Sequence, residues 1–217
     1  MSPTAAVPTI VCIKWGIKYG PEYVNRLYSM VSRHTTAPHR FLCLTDNPAG
    51  ITPGIETAPL TEHHLTGWWH KLTLFKSDPY GITGPLLFLD LDVVITGSLD
   101  DLLFYAPALT ICQDFLTGGY NSSVFLLWAG SRTEVWDEFA RAPTLVCSRF
   151  AGDQDWITRV IRSRHSGGGA ELWPSAWVKS YRVDLKGGPP PPDCCIVVFH
   201  GRPKPHDCGG WVRDHWR

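Results

Sequence analysis

Short continuous apolar runs alternate along this chain with stretches in which apolar residues return every three or four positions. Thr9 to Ile13 is such a run and reads as a buried strand. Gly20-Pro21 then opens a helix, with proline at the first helical position, where its missing N–H costs nothing. Val24, Leu27, Tyr28 and Val31 line one face of that helix, which stops before Pro38. Arg40 to Leu44 is the second strand. A helix is predicted over Trp69 to Lys76, a third strand over Leu86 to Leu89, and a helix over Leu99 to Tyr105. Leu109 to Cys112 and Ser122 to Trp128 read as strands. Ser131 and Glu134 have the spacing of a capping box, ahead of a helix whose apolar face is Val135, Trp136 and Phe139. Asp153 to Arg162 is a further helix with Trp156, Ile157, Val160 and Ile161 inward, and Cys195 to Phe199 is a last core strand.

Strands alternating with helices predict an α/β fold with a crevice at the carboxyl ends of the strands. The first strand is not followed by G-x-G-x-x-G, which argues against a dinucleotide cofactor. A length of 217 residues suits one domain, residues 1–217. Ser166 to Gly169 and the Gly-Gly-Pro-rich Gly187 to Pro192 read as connectors.

Charge narrows the classes of function. Lys+Arg and Asp+Glu both number 20, so the basic surplus of a nucleic-acid binder is absent. The longest apolar run, Pro85 to Ile95, is broken by two aspartates and is too short to span a membrane. Met1 to Pro8 lacks a basic start and an apolar stretch, so no secretory signal is expected. The seven cysteines are odd in number and several lie in strand-like runs, as expected of free thiols in a reducing compartment. The expected location is the cytoplasm, with a peripheral seat at the inner membrane as its variant. Ten tryptophans is a high count; Trp68, Trp69, Trp173 and Trp177 fall in loop-like or helix-start contexts where a ring could stack on a sugar, but for any single one core and rim packing is the preferred reading.

The chemistry concentrates in Leu86 to Ile95, where Asp90 and Asp92 interrupt an otherwise apolar strand. Buried charges need partners. Residues i and i+2 of a strand face the same way, about 6–7 Å apart, so two such acids can converge on one cation. An acid pair at a strand end suits the D-x-D of sugar transferases. It also suits the haloacid dehalogenase-like phosphotransferases, with Asp90 as nucleophile, although that nucleophile usually closes the first strand. Further along, Asn121-Ser122-Ser123 opens a strand and Asp153-Gln154-Asp155 starts a helix. His200-Gly201-Arg202-Pro203-Lys204-Pro205 follows the last strand, and Trp68-Trp69-His70-Lys71 places a cation ahead of the acids. A nucleotidyltransferase would need a triphosphate cradle, and a non-catalytic carbohydrate-binding module would leave the acids, His200 and Lys204 unexplained.

In this order the motifs resemble the metal-dependent glycosyltransferases of the GT-A fold, and among them glycosyltransferase family 8, which includes glycogenin and bacterial galactosyltransferases. The resemblance runs from about Ile10 to His206. Lys14-Trp15-Gly16 and Tyr19-Gly20 suggest a bacterial branch of it. It implies a Rossmann-like nucleotide-diphospho-sugar transferase fold, with a nucleotide-binding part at about 9–100 and an acceptor and C-terminal part at about 101–217. It implies Mn²⁺, or Mg²⁺, on Asp90, Asp92 and His200, with Asp90 also reaching the ribose. The loop Lys14 to Tyr19 would hold the base, with Tyr19 or Trp15 stacking. Gly201 and Lys204 would hold the diphosphate and Lys71 would lie near sugar or phosphates. Asn121 and Asp153 would grip the donor sugar, with Gln154 beside the anomeric carbon; Asp153 and Gln154 are the catalytic pair. The reaction would be retaining hexosyl transfer from a nucleotide sugar, UDP-linked, to a sugar, glycan or lipid-linked acceptor. Two departures stand out. His200 and Lys204 are four apart where the family has two more residues between them, and Ser122-Ser123 replaces Ala-Gly.

Overall fold

The run Thr9–Lys14 forms β1, and Pro21–His34 forms α1 with Pro21 in its first turn. The helix buries Tyr23, Val24, Leu27, Met30 and Val31, the residues a 3.6-residue repeat puts on one stripe. β2 is Arg40–Thr45, β3 is Glu56–Pro59, β4 is Pro85–Leu89 and β5 is Val93–Ile95. β6 is Leu109–Gln113 and β7 is Tyr120–Trp128. Three helices follow, α2 (Glu134–Ala140), α3 (Pro143–Arg149) and α4 (Asp153–Ser163). The chain closes with β8 (Glu171–Leu172), β9 (Val178–Ser180), β10 (Ile196–Val198) and α5 (Trp211–His215). This is a computed structural model, and it describes residues 6–105, 108–163 and 169–217. Most of the connector expected at Ser166 to Gly169 lies outside the described residues, as does the start of the chain.

Seven strands make the main sheet in the order β3-β2-β1-β4-β7-β6-β8. β1, β2, β3 and β4 run parallel, as do β6 and β8, while β7 is antiparallel to both neighbours. One face packs on α1 and on a smaller sheet, β5-β10-β9; the other packs on the segment 67–75, α2 and α4. Both faces of β4 are therefore covered, which is why all five of its residues are buried and apolar.

The structure corrects several expectations. Gly67–Phe75 is a 3-10 helix, and Leu99 to Tyr105 holds only a short 3-10 turn, Leu102–Phe104. Ser131 does not cap α2; its hydroxyl donates to the Ala108 carbonyl at 3.2 Å, and α2 starts after Thr133. The packing reading of the tryptophans, by contrast, holds for Trp69 and Trp173, which are 7% and 6% exposed. Asp90 and Asp92 do not share a strand. β4 ends at Leu89 in the main sheet and β5 starts at Val93 in the smaller one, so the acids flank Leu91 in the turn between sheets. The apolar run hides this turn because Leu91 is itself buried. All seven cysteines are free, with Cys12, Cys43, Cys112 and Cys194 buried. No helix of the described residues is long and apolar enough to cross a membrane.

Candidate functional site

The turn that carries the acids lies just past the carboxyl end of β4, where open α/β sheets bind ligands. It is pinned by the Asp90 N–H, which donates to the Ser123 carbonyl of β7 at 2.8 Å. Two cavities meet there. The first, about 430 Å³, is walled by Ile13, Trp15, Lys18, Tyr19, Trp68, Trp69 and Leu91. The second, about 280 Å³, is lined by Asn121, Ser122, Ser123, Asp153, Gln154, Asp155 and His200. Trp68, Lys71, Asp90 and Asp92 border both.

Each acid has an ammonium against it. Lys71 Nζ lies 2.8 Å from Asp90 Oδ1 and 3.0 Å from Oδ2, and also donates to Ser122 Oγ at 3.2 Å. Asp92 Oδ2 accepts from Tyr19 Oη at 2.7 Å and from Lys204 Nζ, which also donates to the Phe199 carbonyl at 2.8 Å. Burial raises the Asp90 carboxyl to about 6 despite the opposing pull of Lys71. For Lys71 the balance tips the other way. Burial disfavours its ammonium, but Asp153 and Asp90 together outweigh that and raise its pKa. Burial also raises the Tyr19 phenol, with Asp92 adding to it.

The polar cavity is built from two elements that end side by side. β7 supplies Asn121, whose Nδ2 donates to Gln154 Oε1 at 3.3 Å and whose Oδ1 accepts from the Ser123 N–H at 3.1 Å. The first turn of α4 supplies Asp153 and Gln154, and Gln154 Nε2 reaches Asp114 Oδ2 at 3.3 Å. Asp153 is 3% exposed and its Oδ2 has no hydrogen-bond partner. A buried acceptor without a donor is costly, of order 1–3 kcal/mol, and this one belongs to a residue lining the cavity. Burial pushes its carboxyl up and Lys71 pulls against it. His200 reaches the same cavity from the end of β10. Its Nε2 hydrogen-bonds Ser180 Oγ at 2.7 Å, and its ring stacks on Phe115 with centroids 5.4 Å apart. Burial lowers its pKa, which favours the neutral imidazole.

Ten of the twelve sequence-assigned residues thus meet at the two cavities or pair directly with them; the exceptions are Lys14 and Gly201. Lys14 is buried at the end of β1 and borders neither cavity. Gly201 also borders neither, and its φ of +72° explains the glycine without a ligand. Sequence reasoning missed Asp114; it reached Lys18 only as part of the loop Lys14 to Tyr19, and Trp68 only as one tryptophan among several, although its indole Nε1 would lie 3.3 Å from a Cβ on Gly152.

The donor chemistry of Asp90, Asp92 and His200, two carboxylates and a neutral imidazole on one cavity, fits a divalent first-row cation. Among the described residues, however, no three His, Cys, Asp or Glu side chains are drawn together closely enough to hold one. The lysines hold the two acids instead.

No protein-family model and no curated protein sequence matches the chain. Solved structures do. An active-site mutant of LgtC aligns over 95% of this chain and 93% of its own, at 16% identity and a TM-score of 0.64. The galactosyltransferase LgtC in complex with donor and acceptor sugar analogues aligns over the same shares at 17% identity and a TM-score of 0.65. The apo form of the glycosyltransferase GlyE of Streptococcus pneumoniae aligns over 97% of this chain and 59% of its own, at 14% identity and a TM-score of 0.63. The chain has the GT-A fold of these glycosyltransferases.

Proposed function

We propose that this chain is a glycosyltransferase that moves a hexose from a nucleotide sugar, UDP-linked, to a sugar, glycan or lipid-linked acceptor. The observation that carries the reading is the junction of an aromatic cavity and a polar cavity at Lys71, Asp90 and Asp92, with Asp153 holding an unpaired oxygen beside the polar one. A donor of this class has matching parts: a planar base, a diphosphate and a ring of hydroxyls. The base would stack on Tyr19 or Trp15. The hydroxyls would satisfy Asp153 Oδ2 and the Asn121 amide. Gln154, which bonds Asn121 and Asp114, would lie beside the anomeric carbon.

Asp90, Asp92 and His200 would hold Mn²⁺ or Mg²⁺, which when bound neutralises charge on the departing diphosphate. Lys204 and Lys71 add fixed positive charge in the same place, where a site shielded from water makes it more effective. The start of α4 lines the polar cavity with Asp153, Gln154 and Asp155, which sets the positive end of the helix dipole beside it. The outcome proposed is retention, with the acceptor approaching from the face the diphosphate leaves. The solved LgtC complex with donor and acceptor sugar analogues supports transfer of a sugar from a donor to an acceptor.

The test is to incubate the protein with UDP-hexoses and Mn²⁺ and follow release of UDP to water or to added sugars. Release that needs the metal and fails in Asp153→Ala is expected. No release from any UDP-hexose, with or without metal, contradicts the reading.

A further inference from the structure

Asp92 is held by the two side chains that the proposed function assigns to the two ends of the nucleotide. Its Oδ2 accepts from Tyr19, on the loop that lines the aromatic cavity, and from Lys204, assigned to the diphosphate. The second contact joins residues 112 apart in sequence, and both side chains of that pair are largely buried, 12% and 13% exposed. Lys204 also donates to the Phe199 carbonyl, so its ammonium is fixed in place rather than passing by. Asp90 is paired in the same way, by Lys71.

We infer that Lys204 is a built-in counter-ion that occupies Asp92 until a diphosphate draws it away, so that the divalent cation binds well only together with the nucleotide. This rests on the metal reading proposed above. The physical argument is charge exchange. A buried carboxylate carrying one ammonium is nearly neutral as a pair, and a cation entering beside it meets the ammonium's repulsion. At the low effective dielectric of a partly buried site that repulsion is far stronger than in water. The diphosphate offers Lys204 a stronger anion, frees Asp92, and brings its own oxygens to the cation. By linkage each ligand then raises the affinity of the other by the same factor. Tyr19 contributes in the same direction, because a base stacked on its ring engages the residue whose hydroxyl tethers Asp92.

The test measures Mn²⁺ binding by calorimetry and by the electron paramagnetic resonance signal of free Mn²⁺, with and without UDP. The parent should bind Mn²⁺ weakly alone and much more tightly with UDP. Lys204→Met should bind Mn²⁺ alone about tenfold or more tighter than the parent, and should lose most of the enhancement by UDP. Lys179→Met removes a cation from the cavity beside Trp173 and Val178, outside the two cavities of the site, and should leave Mn²⁺ binding unchanged. If it rises as Lys204→Met does, a general field is at work and the inference fails. Tyr19→Phe keeps the ring and removes only the hydroxyl. It should shift binding the same way by a smaller factor, and it gives the answer if Lys204→Met does not fold. Equal Mn²⁺ affinity of parent and Lys204→Met in the absence of UDP overturns this inference alone. Absence of Mn²⁺ binding in every variant, with UDP present, overturns the metal reading and this inference with it.

Discussion

The two cavities that meet at the acidic turn are built to different plans. The larger is walled by rings, those of Trp15, Tyr19, Trp68 and Trp69, and comes from the first third of the chain. The smaller is walled by amides, hydroxyls and carboxylates from β7, the start of α4 and the end of β10. Rings give broad apolar contact and tolerate sliding. Paired polar groups such as Asn121 with Gln154, and Gln154 with Asp114, are directional and admit few partners. The aromatic cavity is thus suited to holding a ligand, and the polar one to orienting what reacts. Substitutions should accordingly split into those that change affinity and those that change rate.

The largest expected effect is on rate. Asp153→Ala should lower UDP-hexose turnover by about 100-fold or more and leave UDP affinity within about threefold, because its unpaired oxygen belongs to the polar cavity. Kinetics and calorimetry on one preparation check both numbers. A helix-start role alone would lower the melting temperature and spare turnover. Next comes affinity. Tyr19→Ala should weaken UDP binding by about 5- to 100-fold, the usual worth of one base stacked on an aromatic ring, with a smaller loss at saturating UDP-hexose. Equal loss of affinity in Asp153→Ala and Tyr19→Ala erases the distinction between the cavities. Trp68 borders both, so Trp68→Ala should cost both quantities, each by about 2- to 10-fold. A loss confined to one of them reassigns the indole to that cavity.

The smallest effect lies outside both. Asp100 accepts from the N–H groups of Thr36 and Ala37, each at 2.9 Å, and so ties the end of α1 to the segment after β5. These bonds hold its carboxyl below the ordinary 3.8. A depressed carboxyl stabilises the fold above that value, and the gain is lost as pH falls below it. Asp100→Ala should lower the melting temperature by about 2–4 °C at pH 7, discounted for exposure, with turnover intact. A change in turnover would join this corner to the site.

The same contrast explains what the sequence disclosed. α1, β1, β4, β7 and α4 announce themselves through continuous or 3.6-periodic apolar runs, since each buries a full face. β3 does not, because Glu56–Pro59 is an edge strand with largely exposed side chains. β5, β8 and β9 are two or three residues long, too short for a period to show. Within the site, residue types and order pointed to Asp90, Asp92, Asn121, Asp153, Gln154 and His200, and the fold gathers them around one cavity. What the sequence could not carry was the pairing. Lys204 on Asp92 spans 112 residues, and the empty valence of Asp153 Oδ2 depends on what its neighbours already bond. The turn between β4 and β5 was also hidden, since a buried turn with Leu91 at its centre has the composition of a strand.

The central claim is that the acidic turn receives the diphosphate of a nucleotide together with a divalent cation. Calorimetric titration of UDP into the protein with Mn²⁺ present, repeated on Asp92→Asn, tests it most directly. The account predicts that the parent binds UDP with Mn²⁺ and prefers it to ADP, that chelation of the metal weakens the binding, and that Asp92→Asn loses the metal-dependent part while remaining folded, with a lower melting temperature from the broken Lys204 pair. UDP affinity that is the same in Asp92→Asn as in the parent, with or without chelator, would contradict it.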